Sequence, residues 1–241
     1  MGCGFNAGGY RWHHEDALDW LRLQDADVAL LQEVQLEKVV SFHGMASHRV
    51  PTSPGSPTGN AVLVRAERLD PVNVEIGGAL VAAVKARLVG EDFVLVSAHV
   101  LTGKRQQEAL ASFVRCVSRA VVDSRFVVGG DFNVTPTDLD CYDPSLFVGA
   151  THVSEPEREA LRALEATGLT DLTRALHPEE PSFSWWDYRN GSFHRGWGLR
   201  IDLLFVDQAL LAKATASFVD RDERKGQKPS DHAPVVGEFD L

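Results

Sequence analysis

The chain predicts an α/β fold in which strands and helices alternate. Three observations carry this. Short runs rich in β-branched and aromatic side chains recur along the sequence and end on a glycine or a single polar residue, as buried strands do. Between them lie stretches whose apolar residues return at i, i+3, i+4 and i+7, which marks one buried helix face. Finally, 241 residues with 44% hydrophobic content suffice for a sizeable core, yet no apolar run is long enough to span a bilayer and the N-terminus has no basic-then-apolar leader pattern.

Taken in order, glycine-rich Gly4–Gly9 precedes a helical stretch, and Asp27–Glu33 is an apolar strand ending on an acid. Val50–Asn60, with three prolines, two glycines and two serines, reads as a loop. Strands follow at Ala61–Val64, Val81–Leu88 and Phe93–Ala98. From Gln106 to Val122, Leu110, Phe113, Val114, Val117 and Val121 keep the helical rhythm, and the strand Phe126–Val128 comes directly after. A second amphipathic helix spans about Glu155 to Thr167, with Leu161 and Leu164 inward and Gly168 as its stop. Asp187–Gly198 is a breaker-rich loop expected to border a substrate cleft. Ile201–Val206 and Val235–Phe239 complete the strands. There is no solenoid-like repeat, and the chemistry-bearing residues are spread from Asn6 to His232, so residues 1–241 are expected to form one domain.

That chemistry sits at strand ends. Val127-Val128-Gly129-Gly130-Asp131-Phe132-Asn133 delivers a carboxylate and a carboxamide that project to one side if strand geometry persists. A carboxylate that orients water beside an amide that donates to phosphate oxygen suits phosphoester hydrolysis; alone, the segment reads equally well as Asx turn chemistry. Glu33, at the end of its strand, is a candidate ligand for a hard divalent cation such as magnesium, or simply an exposed acid. His99 ends the strand Phe93–Ala98 and is either a titratable site residue or a core histidine. Asp202 interrupts an apolar run, and because a buried carboxylate is costly unless paired, His232 in Ser230-Asp231-His232-Ala233-Pro234 is its expected partner.

The order of these segments resembles the endonuclease/exonuclease/phosphatase superfamily, whose fold is that of deoxyribonuclease I. The C-terminal half is similar to the exonuclease III branch of AP endonucleases, through Gly129–Asp140, Ser182–Arg189, Gly198–Leu204 and Lys228–Pro234. This resemblance implies a four-layer sandwich of two facing mixed β-sheets flanked by helices, with the site at one end. It further implies a divalent-metal-dependent phosphodiester hydrolase using Mg2+ or Mn2+. Glu33 resembles the metal-binding glutamate, Asn6 the asparagine supporting metal and phosphate, and Asp231 a further metal-site carboxylate. Asp131 resembles the aspartate that orients the attacking water, Asn133 the transition-state donor, and Asp202 with His232 the acid–histidine pair at the phosphate.

Two positions depart from that branch. Gly8 stands where it has an acid or amide, and His99 stands where it has a tyrosine. A histidine there is similar to deoxyribonuclease I and the phosphatase members, where it protonates the leaving oxygen. DNA is the expected substrate, with Trp185, Tyr188, Arg189, Trp197 and Arg200 as candidate substrate-binding residues that stack on a base or line a sugar pocket. Trp185 is equally readable as core. Gly8 and His99 favour the alternative of a small nucleotide or other soluble phosphoester, and a non-catalytic binding module is a third reading. The formal charge of −10 is adverse for gripping nucleic acid, against which stand Arg189, Arg195, Arg200, Arg221, Arg224, Lys225 and Lys228, residues that also read as a solvated face. Cys3, Cys116 and Cys141 form neither a metal spacing nor a disulfide framework, which points to a reducing cytoplasm; a monomer is expected.

Overall fold

Alternating apolar strands build two six-stranded sheets that face each other. The computed structural model describes residues 2–6, 14–39, 42–74, 77–103, 105–120, 125–225 and 229–241. The first sheet contains β1 (Gly2–Asn6), β2 (Val28–Gln35), β3 (Ala46–Pro51), β4 (Thr58–Val64), β11 (Ala214–Val219) and β12 (Val235–Phe239), in the order β11-β12-β1-β2-β4-β3. The second contains β5 (Arg68–Val72), β6 (Ala79–Leu88), β7 (Glu91–Val100), β8 (Arg125–Asp131), β9 (Leu169–Asp171) and β10 (Asp202–Asp207), in the order β5-β6-β7-β8-β10-β9. Among the described residues only β1–β2 and β7–β8 pair in parallel, so both sheets are mixed.

Between the sheets, Leu30, Val62, Val64, Val84, Leu95, Val127 and Leu204 interdigitate in one apolar cluster. Outside the first sheet, Trp20 and Leu21 of α1 (His14–Gln24) cover Ala29, Leu31 and Leu63. Outside the second, Ala109, Leu110, Phe113 and Val117 of α2 (Gln106–Ala120) and Leu161 and Leu164 of α3 (Glu155–Glu165) cover Val96, Val128 and Phe205. Helix, sheet, sheet and helices are the four layers that the family resemblance implies. Shorter helices α4 (Leu172–Leu176), α5 (Ser192–Arg195) and α6 (Gln208–Leu211) close the connections.

Several boundaries differ. The strand at 61–64 begins at Thr58 and β3 runs to Pro51, so the proline-rich loop is narrower than its composition suggests. The helix expected to reach Val122 is described to Ala120, and residues 121–124 lie outside the described residues, as do Gly8 and Lys228. Strands β1, β3, β5, β9 and β11 are absent from the sequence-based assignment; β1 is central and glycine-rich, and the other four are sheet edges. An edge strand pairs on one side only, and β3 and β5 carry exposed polar or proline residues that dilute the alternation.

Candidate functional site

The site grows from three neighbouring strand ends in the second sheet. His99 on β7 lies in register with Asp131 on β8, and Asp131 lies in register with Asp202 on β10. Three titratable side chains therefore form one row across the sheet. Glu33 of β2 reaches this row from the facing sheet, with its Oε1 3.6 Å from His99 Nε2, while Asp131 Oδ2 is 3.8 Å from the same nitrogen. Asn6 ends β1 in register with Gln32, next to Glu33; its side chain is outside the described residues.

Asp202 is buried and fully engaged. It lies 2.9 and 3.1 Å from His232 Nδ1 through its two oxygens and accepts from Ser184 Oγ at 2.7 Å. Ser184 in turn accepts from the backbone N–H of Ile201 and of Asp202, which fixes the strand entering the site. With Nδ1 held, His232 presents Nε2 at the opposite edge of its ring. Asp231 accepts from the indole N–H of Trp185 at 3.0 Å. Asn133 has a left-handed backbone, φ 54°, its N–H donates to Asp131 Oδ1 at 2.8 Å, and its amide donates to Val100 O and to Asp131 Oδ2. Glu33 has the same backbone sign, φ 54°. For residues other than glycine this conformation stores roughly 1–2 kcal/mol, and strain of that kind concentrates at functional sites.

Charge is unbalanced here. Burial pushes the Asp131 carboxyl above its usual range, with Asp202 and Glu33 adding to the rise against the opposing His232 charge. Glu33 is raised by partial burial and by the Asp231 and Asp202 carboxylates, against the same histidine. Burial by itself would discharge His232, but the Asp202 charge and hydrogen bond outweigh it and carry the imidazole up to about 10. His99 is pulled down to about 4 by burial and by the His232 charge. The carboxylates thus exceed the cationic partners, and a hard divalent cation would relieve the excess. Among the described residues no group of three His, Cys, Asp or Glu side chains is arranged to hold a metal ion by itself. Glu33 with few other oxygens could hold a hard divalent ion that keeps much of its water.

Beside this row opens a cavity of about 520 Å³ lined by Tyr142, His152, Trp185, Arg189 and Trp197 among others. Three of the five expected substrate-binding residues therefore border it. Tyr188 turns elsewhere: its hydroxyl donates to Pro229 O, and Arg224 lies over its ring. Arg200 is a correction. It is fully buried, donating to Asp140 through Nε at 2.6 Å and to Asp171 through both terminal nitrogens at 3.0 and 2.8 Å, so it serves the core and cannot meet a substrate.

Two neighbours of the site escape sequence reasoning. His152, φ 78°, lies 2.7 Å through Nδ1 from Asn133 O and faces Trp185 at 6.4 Å between ring centroids. Nothing in Ala150-Thr151-His152 signals that placement. Ser184 did carry a signal, since a buried acid needs more than one donor.

Carboxylates and a carboxylate-held imidazolium at the end of a two-sheet sandwich define a metal-dependent phosphoester hydrolase. A family model confirms the class: residues 3–232 match the Endonuclease/Exonuclease/phosphatase family, and the chain belongs to it. Metal dependence is general in that family. Exodeoxyribonuclease III of Haemophilus influenzae is 38% identical over 120 residues, which cover 47% of this chain and 45% of that protein. A DNA repair nuclease of Danio rerio is 28% identical over 96% of this chain and 79% of its own. Among solved structures, a 3′ phosphatase from Neisseria bound to a product DNA hairpin superposes with a TM-score of 0.84 at 27% identity, covering 100% of this chain and 99% of that one. No described helix is long and apolar enough to cross a membrane.

Proposed function

We propose that this protein is a magnesium- or manganese-dependent DNA nuclease of the exonuclease III/AP endonuclease type, acting as one domain and as a monomer in the cytoplasm. The supporting observation is the row His99–Asp131–Asp202 across three strands, with His232 on Asp202 and Glu33 opposite. The metal supplies charge neutralisation at the phosphate when bound. Glu33 holds it, with Asn6 and Asp231 as supporting oxygens. Asp131 orients the attacking water and takes its proton; Asn133 keeps Asp131 in place and donates to a phosphate oxygen of the transition state. Asp202 keeps His232 charged, and the imidazolium clamps a second oxygen. His99 delivers a proton to the leaving oxygen; because burial keeps it neutral in the free protein, it acquires that proton with the substrate. Trp185, Arg189 and Trp197 contact the nucleotide beside the scissile bond.

A second reading has a specific support of its own. The Neisseria neighbour is described as a 3′ phosphatase, and His99 replaces the tyrosine of the nuclease branch, so a terminal phosphate or a small phosphoester is the alternative substrate. One experiment separates them: metal-dependent cleavage of a labelled duplex with a single abasic site, beside an intact duplex, a 3′-phosphorylated end and small phosphoesters, with Asp131→Ala as control. Incision at the abasic site or stepwise loss of 3′ nucleotides supports the nuclease. Release of phosphate from the 3′ end or the small esters alone supports the phosphatase, and activity surviving in Asp131→Ala on every substrate sinks both.

A further inference from the structure

We propose that Gln32, Ser97 and Asn60 are positioning residues: a polar clasp between the sheets that holds the bulge aiming Glu33 at the reacting phosphate. The proposal rests on Glu33 being the metal ligand. Along β2 the side chains alternate, Val28 and Leu30 entering the inter-sheet core and Ala29 and Leu31 lying under α1. Continued alternation would bury Glu33 under α1 as well. Instead the pairing with β4 jumps from Leu31↔Ala61 to Val34↔Gly59, so that Gln32 and Glu33 together oppose Asn60. Val34 takes the place under α1, and Glu33, 46% exposed, emerges at the site. One inserted residue has redirected the carboxylate, which is what bulges do beside active sites.

The clasp ties this bulge to the facing sheet. Gln32 is fully buried; its amide nitrogen donates to Leu30 O at 3.1 Å and across to Ser97 Oγ at 2.8 Å, and Ser97 Oγ donates to Leu31 O at 2.8 Å. Opposite the bulge, the buried Asn60 amide donates to Leu80 O at 3.0 Å and to Ser97 O at 3.4 Å. Ser97 stands two residues before His99 on β7, so the same bonds couple the strand end carrying Glu33 to the one carrying His99. Space for the crossing comes from Gly130, where a Cβ would sit 2.9 Å from Gln32 Nε2 and 1.9 Å from Ala98 O.

Stability does not explain this cluster. The backbone oxygens it meets only accept, so both amides must turn their nitrogens toward them. That leaves Gln32 Oε1 and Asn60 Oδ1 buried with no donor among the described residues. An apolar layer of the same shape would avoid that penalty, and local rules are broken this way where geometry serves function.

The test measures manganese binding, by loss of the free Mn2+ EPR signal, and thermal midpoints in EDTA for Gln32→Met, Ser97→Ala and Glu33→Gln. Expected for Gln32→Met and Ser97→Ala is Mn2+ affinity weakened on the order of 10–100-fold, as for other residues that hold a ligand in place. Gln32→Met should keep or raise the midpoint, and turnover at saturating manganese should recover in both variants. Unchanged affinity in Gln32→Met and Ser97→Ala, with or without a lower midpoint, overturns the clasp if Glu33→Gln loses affinity. If Glu33→Gln also binds Mn2+ as the wild type does, it is Glu33 as ligand that fails, and the clasp falls with it. Ser97→Ala decides alone should Gln32→Met fail to fold.

Discussion

Arg200→Met should unfold the protein more easily and leave the affinity of the remaining folded fraction for substrate untouched. Arg200 bridges two buried carboxylates, giving one hydrogen bond to Asp140 and two to Asp171. Arg174 and Thr137 still reach Asp140 in the variant, but among the described residues the Asp171 carboxylate keeps only the Arg174 N–H at the start of α4. Removing one member of a buried ion pair costs about 3–5 kcal/mol, because the partner charge stays behind uncompensated. In a chain of this size each kcal/mol moves the melting midpoint by roughly 2–4 °C, so the shift should fall between about 6 and 20 °C. It should also depend on pH. Burial would raise the Asp140 carboxyl, yet the Arg200 charge and hydrogen bonds, with Thr137 and Arg174, hold it below its ordinary value. A lowered carboxyl contributes stability that is complete above its unfolded value near 3.8 and lost as pH falls through the folded one. The difference between wild type and variant should therefore be largest at neutral pH and shrink below about pH 4. Thermal unfolding followed by circular dichroism at pH 7 and in acid, with KM measured well below the variant's midpoint, checks both parts. A midpoint within about 2 °C of wild type, joined to a raised KM, would refute the structural role and restore the substrate contact that the sequence alone suggests.

Three further outcomes follow from the same geometry. Gly130→Ala, at φ 146° with Ala98 O 1.9 Å from the new Cβ, should sharply lower the yield of folded protein; a wild-type midpoint would mean that β7 and β8 are not so closely apposed. Asp202→Asn removes the largest charge that raises His232 to about 10 and leaves only those of Asp131 and Asp231 against burial, so the imidazole should lose its proton at lower pH than in the wild type. Wild-type KM should then rise only as pH climbs toward 10, whereas the variant's should rise at lower pH; parallel KM profiles across pH 6–10 would remove the phosphate clamp from His232. The raised histidine also contributes stability that is complete below about 6.5 and lost as pH rises through 10, a loss Asp202→Asn should not show. His99→Phe should lower turnover about 10²–10⁴-fold on substrates with poor leaving groups and much less on good ones, and equal losses on both would argue against a proton donor.

The alternation of strands and helices and the polar groups at strand margins were legible because burial leaves a mark on composition, whereas the layers and the roles of the site residues were implied by the family resemblance. β8 ends on Asp131, β7 carries His99 next to its last residue, β2 carries Glu33 two residues before its end and β10 begins on Asp202, and a lone polar group at the margin of an apolar run of this kind faces solvent or substrate. The Asp202–His232 pair was readable from the cost of a lone buried acid. Arg200 was misread for the same reason in reverse: its partners Asp140 and Asp171 lie 60 and 29 residues away, and a guanidinium between apolar neighbours looks the same in sequence whether it reaches out or folds in. The edge strands β3, β5 and β11 were missed because exposed residues blur the two-residue period, and β9 because three residues are too few to show one.

Backbone sign is the deeper gap. Glu33 and Asn133 both adopt positive φ, and neither is a glycine that would announce it. In a regular β2 the period of two would turn Glu33 away from the cleft toward α1, and beyond the end of β8 the Asn133 amide returns to Asp131 Oδ2 only because the chain reverses there. A carboxylate at a strand end is therefore necessary for this chemistry and not sufficient. What aims it is a single extra residue opposite Asn60, a layer of buried amides beneath it and a glycine that lets the layer through.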